Sequence, residues 1–112
     1  MKTKWIFYGI GIVLVGILIA GIAMPSKYDE FAKCVAEQDV TMYGTEWCSY
    51  CHQQKELFGS SFEYVDYVDC DYNKQVCDAN SVNGYPTWTI NGQKYSGVQS
   101  LEKISSLTQC EL

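Results

Sequence analysis

Two cysteines, Cys48 and Cys51, stand where the chain changes from strand-like to helix-like composition. Upstream, Val40 to Tyr43 is a short β-branched and aromatic run, broken by Gly44 and Thr45. Downstream, residues from about Cys48 to Phe58 read as a helix, with Gly59 as a natural stop. A C-x-x-C at such a junction constrains fold and chemistry together. It puts the first sulfur at a helix N-terminus, where unpaired N–H groups and the macrodipole favour negative charge. The thiolate is the nucleophilic form of cysteine. The second sulfur lies about one turn further on, within reach of a mixed disulfide formed by the first. Cys48 is then the attacking group and Cys51 the resolving one. Two other readings stand beside this. The pair could be half of a zinc site completed by Cys70 and Cys77, or a purely structural disulfide. Cys70 and Cys77 are too widely spaced for a second zinc knuckle, and the βαβ setting favours redox chemistry.

The first 24 residues differ from the rest. From Trp5 to Met24, 20 residues, there is no charged side chain. At about 1.5 Å per residue a helix of this length spans roughly 30 Å, a bilayer core. Lys2 and Lys4 precede it, so the positive-inside tendency keeps the N-terminus in the cytoplasm and exports the rest of the chain. A cleavable signal peptide is the rival, but its apolar core is typically only about 7–15 residues. Either way, the expectation is an anchor or signal over 1–24 and one small exported domain over 25–112. That domain holds all six cysteines, six Lys, no Arg and all 13 Asp and Glu, a net charge near −7. Such a charge does not suit nucleic acid or anionic lipid heads. Exported domains of this size use disulfides to supplement a thin core.

Along the domain, Ser26 can cap a helix over 27–38 with Tyr28, Phe31, Ala32 and Val35 at helical spacing. Phe62 to Val68 alternates in strand fashion. Gln75 to Asn80 suits one or two helical turns. Pro86 to Ile90 and Gln93 to Ser96 are strands joined by Asn91-Gly92, a strong hairpin signal. Residues 100–108 form a last helix with Leu101, Ile104 and Leu107 on one face. A parallel βαβ unit followed by a hairpin and a helix gives a mixed sheet covered by helices.

Gly84-Tyr85-Pro86-Thr87, directly before a strand, taken with Cys48 and Cys51, resembles the thioredoxin superfamily. The resemblance implies an α/β thioredoxin-like fold, here preceded by one transmembrane helix. It also implies a cis Pro86, with Tyr85, Pro86 and Thr87 offering backbone to substrate by strand addition, and Trp47 packing beside the site. Five stretches sharpen it: Tyr28–Cys34, Met42-Tyr43-Gly44 leading to Trp47-Cys48, Lys55–Gly59, Gly84–Trp88 and Tyr95–Leu101. Together they are similar to the thioredoxin-like domain fused to, or partnered with, bacterial vitamin K epoxide reductase homologues. That family passes electrons from secreted proteins to a quinone-reducing membrane partner, with no metal and no other cofactor in this domain.

The implied function is therefore a membrane-anchored, extracytoplasmic thiol–disulfide oxidoreductase that oxidises cysteines of exported proteins. Its membrane partner would be a separate protein. The alternatives are a tethered disulfide reductase and a non-catalytic, disulfide-stapled binding module. The resemblance also pairs Cys34 with Cys110 and Cys70 with Cys77. Ser49 and Tyr50 depart from it, since family members often carry Pro and His there, and these residues tune the redox potential. Disulfide-reducing thioredoxins place a buried Asp six residues before the first active-site cysteine, where this chain has Met42. His52 could favour the Cys48 thiolate, but a solvated first-turn position is the simpler reading. Glu46 is read as an exposed acid rather than a proton relay.

Overall fold

The computed structural model describes residues 26–112, so the expected anchor over 1–24 lies outside the described residues. In chain order the elements are α1 (Asp29–Ala36), β1 (Val40–Gly44), α2 (Ser49–Phe58), a 3-10 segment (Gly59–Tyr64), β2 (Tyr67–Asp69), α3 (Lys74–Ala79), β3 (Thr87–Ile90), β4 (Gln93–Ser96) and α4 (Leu101–Thr108). The sheet order is β2-β1-β3-β4. β1 runs parallel to β2, with Met42 opposite Tyr67, and antiparallel to β3, with Met42 opposite Trp88. β3 and β4 form a hairpin. Its turn residues Asn91 and Gly92 both have positive φ, 49° and 86°, as a two-residue turn of that twist requires.

The pleat sends alternate residues of β1 to opposite faces. Val40 and Met42 join Phe31, Val35, Phe58, Trp88, Leu101 and Ile104 in the main core, beneath α1, α2 and α4. Phe58 is its centre: it stacks on Phe31 at 5.9 Å and on Trp88 at 6.1 Å. Each large apolar side chain buried this way contributes about 1.5–3 kcal/mol. Tyr43 faces the other way, into a small cluster with Cys70, Cys77 and Val82.

Two expectations change. The run from Phe62 to Val68 is not one strand: residues through Tyr64 form the 3-10 turn, closed by the Val65 N–H donating to the Phe62 carbonyl, and only Tyr67–Asp69 pairs with β1. The alternation signalled burial, but Phe62 meets it by packing edge-on against Phe58 and Tyr67. Ser26 does not cap α1; Tyr28 holds that position, and the Ser26 N–H donates to the Asp29 carboxylate at 2.9 Å. On α4 the expected face of Leu101, Ile104 and Leu107 packs on the main core, Leu107 half-buried at its edge, and Thr108 is buried with it.

Candidate active site

Cys48 is the N-cap of α2, with extended φ and ψ of −79° and 116°. Its Sγ accepts a hydrogen bond from the Cys51 N–H at 3.1 Å, so sulfur fills the place a Ser or Asp oxygen takes at ordinary helix starts. Negative charge on that sulfur meets an N–H dipole aimed at it. Both cysteines are free thiols. Cys48 is 7% exposed and Cys51 0%, so only Cys48 presents surface to another protein. Burial, and next the hydrogen bond with Cys48, push the Cys51 thiol up to about 12. A Thr45 backbone hydrogen bond and the Lys55 ammonium act in the opposite direction. Cys51 is therefore a protonated reserve at neutral pH, shielded from solvent behind a more accessible partner.

Gly44, the last residue of β1, makes room for this sulfur. A Cβ there would stand 2.8 Å from Cys51 Sγ and 3.2 Å from Tyr67 Cε2. Neither neighbour is the free end of a flexible chain. Gly44→Ala is expected to destabilise the domain by about 1–3 kcal/mol, the usual range for overpacking, and to shift Cys51 out of line with Cys48. Urea unfolding measures the first effect, and the rate at which a mixed disulfide at Cys48 is resolved measures the second. Unchanged values in both would show that the site yields freely.

The Tyr85-Pro86 bond is cis. Pro86 is fully buried, and the Thr87 hydroxyl donates to the Gly84 carbonyl at 2.6 Å, closing the loop. Tyr85 packs against both core clusters. Its ring meets Trp47 edge-on at 5.9 Å, which links this loop to the residue before Cys48. Trp47 is otherwise 70% exposed, and Tyr50 is also exposed, so aromatic surface flanks the attacking sulfur on both sides in sequence. The exposed His52 ring turns back to the Glu46 carbonyl, 2.6 Å from Nε2. The Glu46 carboxylate pairs with Lys55 at 3.4 Å.

The remaining cysteines are bonded as Cys34–Cys110 and Cys70–Cys77. Cys70 and Cys77 thus have no thiolate to share with Cys48 and Cys51, which removes the zinc reading. The first bond ties α1 to the end of α4; the second lies in the small cluster under Tyr43.

Sequence reasoning passes over Gln54. It is wholly buried in α2, where its carbonyl accepts from Trp88 Nε1 at 2.9 Å and from the Gln99 N–H at 2.7 Å. Its amide donates to the Gln99 carbonyl at 2.9 Å. One side chain thus locks the active-site helix to β3 and to the loop before α4. A Gln in a helix gives no sign of this, because all its partners are distant in sequence.

No family model matches the chain. The thiol-disulfide oxidoreductase LTO1 of Arabidopsis thaliana is 37% identical over 76 residues, covering 60% of this chain and 20% of the relative. The chain therefore spans about a fifth of that curated relative. The crystal structure of thioredoxin NaTrxh from Nicotiana alata matches with a TM-score of 0.51 at 16% identity, over 73% of this chain and 83% of that one. The fold is thioredoxin-like: a mixed four-stranded sheet flanked by helices.

Proposed function

We propose that this chain is a thiol–disulfide oxidoreductase in which Cys48 attacks and Cys51 resolves. The arrangement of the two sulfurs carries the reading. Cys48 caps the helix with its sulfur under an N–H donor, and Cys51 waits beneath it, buried and protonated. The name of the Arabidopsis relative supports the same chemistry. An extended substrate segment would add alongside Tyr85, Pro86 and Thr87 and pack on Trp47.

The reaction direction in this proposal is oxidation of substrate. The domain sits outside the cytoplasm, anchored through Trp5–Met24, and hands its electrons to a separate, quinone-linked membrane protein akin to the vitamin K epoxide reductase homologues. Export favours disulfide formation. Met42, wholly buried at the position where disulfide-reducing thioredoxins carry an Asp, offers no carboxylate beneath the pair to draw the Cys51 proton. The couple should then lie well above the thioredoxin value of about −270 mV. Equilibrated with glutathione poised near about −200 mV, the Cys48–Cys51 pair should be mostly reduced. A mostly oxidised pair there overturns the direction and leaves a tethered reductase. For topology, a tag fused after Leu112 should be digested by protease added outside intact cells stripped of any outer barrier; its protection would sink the export claim.

A further inference from the structure

A resolving cysteine has to shed its proton before it can attack, and the described residues place no carboxylate against Cys51. The groups that face it are Cys48 ahead of the helix, Lys55 on α2 and Tyr67 on β2. Glu46 and Asp69 act on Tyr67, and the His52 ring is turned away to the Glu46 carbonyl. Lys55 lies four residues after Cys51, so both project from one face of α2. Its Nζ lies 4.1 Å from the centre of the Tyr67 ring and 3.4 Å from the Glu46 carboxylate. The other side of the arrangement is the narrow space at Gly44, where the Tyr67 ring and Cys51 Sγ crowd the same point. The Tyr67 hydroxyl is itself buried and finds no partner among the described residues. A half-buried cation is thus clamped beside a buried thiol by one carboxylate and one aromatic face.

We propose that Lys55 is a positioning residue for the resolving step: held by Glu46 and the Tyr67 ring, its ammonium stabilises the Cys51 thiolate as that thiolate forms. The proposal rests on the reading that Cys51 resolves. In the step, the Cys51 thiol releases its proton to solvent by way of water. In the proposed direction this is the half-reaction that re-oxidises the pair: the thiolate attacks Sγ of Cys48 in its mixed disulfide with the membrane partner, the Cys48–Cys51 bond forms, and the partner's sulfur leaves with the bonding pair of the mixed disulfide. Two electrons pass from the dithiol to the partner's disulfide, for which the chromogenic disulfide of the test stands in. Lys55 takes no proton and forms no bond; from the same face of α2 its charge lowers the energy of the anion.

The test mixes the reduced full chain with excess chromogenic aromatic disulfide (dithiobis-nitrobenzoate). The first coloured thiolate appears in a bimolecular phase as Cys48 is modified, and the second in a unimolecular phase as Cys51 displaces it. Lys55→Met and Lys55→Gln keep the length of the side chain but not its charge. Each pKa unit of stabilisation lost would cut the thiolate fraction about tenfold. The greater nucleophilicity of the more basic sulfur returns part of that, so the second phase should slow by up to about threefold. Its rate profile between about pH 6 and about pH 9 should move to higher pH in both variants. Lys55→Arg should restore it, because a structural role for the stem alone would not depend on charge. A second phase unaltered in Met and Gln, or as slow in Lys55→Arg as in Lys55→Met, overturns the proposal. Absence of any unimolecular phase in the unmodified chain would instead overturn the assignment of Cys51 as resolving residue.

Discussion

In a Cys51→Ser variant, mixed disulfides between Cys48 and substrate cysteines are expected to accumulate, while Cys48→Ser should form none and lose exchange by at least about a thousandfold. The asymmetry comes from burial and from the helix start. Cys48 retains a sliver of exposed surface and its sulfur meets the Cys51 N–H; neither holds for Cys51, which is sealed and protonated. Removing Cys51 leaves that capping donor in place, because it is a backbone group, so the first attack proceeds and stops. Removing Cys48 exposes no second nucleophile, because the remaining thiol is both unreachable and held in its acid form. Non-reducing electrophoresis after acid quenching reads the trapped species directly. Trapping by Cys48→Ser in place of Cys51→Ser would reverse the roles. Trapping by neither would favour a binding module with an inert pair.

Much of the framework behind this result is legible in the sequence because its determinants are local. Gly59 stops α2, and Asn91-Gly92 turns the hairpin with the positive φ values that those residues tolerate. The placing of Cys48 at a helix start is equally local, since it needs only a strand, a break and a helix in that order. The features that sequence does not disclose depend on partners far along the chain. Gln54 reaches residues 34 and 45 positions away. The fit of Gly44 against Cys51 and Tyr67 depends on the β1–β2 register, which β2 secures with three residues. The 3-10 turn from Gly59 to Tyr64 is hidden for a related reason. Period-two alternation reports which side chains seek burial, not which backbone delivers them, and Phe62 satisfies it from a tight turn against Phe58.

Loss of the Cys34–Cys110 disulfide is expected to lower stability by about 4–5 kcal/mol, against about 2–3 kcal/mol for Cys70–Cys77. The ordering comes from loop length: the two bonds close separations of 76 and 7 residues, and chain entropy removed from the unfolded state grows with the logarithm of the loop. A domain of this size has a total stability of roughly 4–13 kcal/mol, so the longer bond is a large part of it. Local structure points the same way. Cys110 lies past the end of α4, where the Gln38 amide donates to the Thr108 carbonyl at 2.7 Å and reaches Cys110 Sγ at 3.4 Å. That polar side chain also ties the segment after α1 to the end of α4. Paired substitutions, Cys34→Ala with Cys110→Ala and Cys70→Ala with Cys77→Ala, avoid leaving a lone thiol to mispair. Urea unfolding with the Cys48–Cys51 pair held in one redox state compares them. If the short-loop variant proves the less stable of the two, loop entropy is not the controlling term. Packing of Tyr43 and Val82 around Cys70 and Cys77 would then carry the larger share.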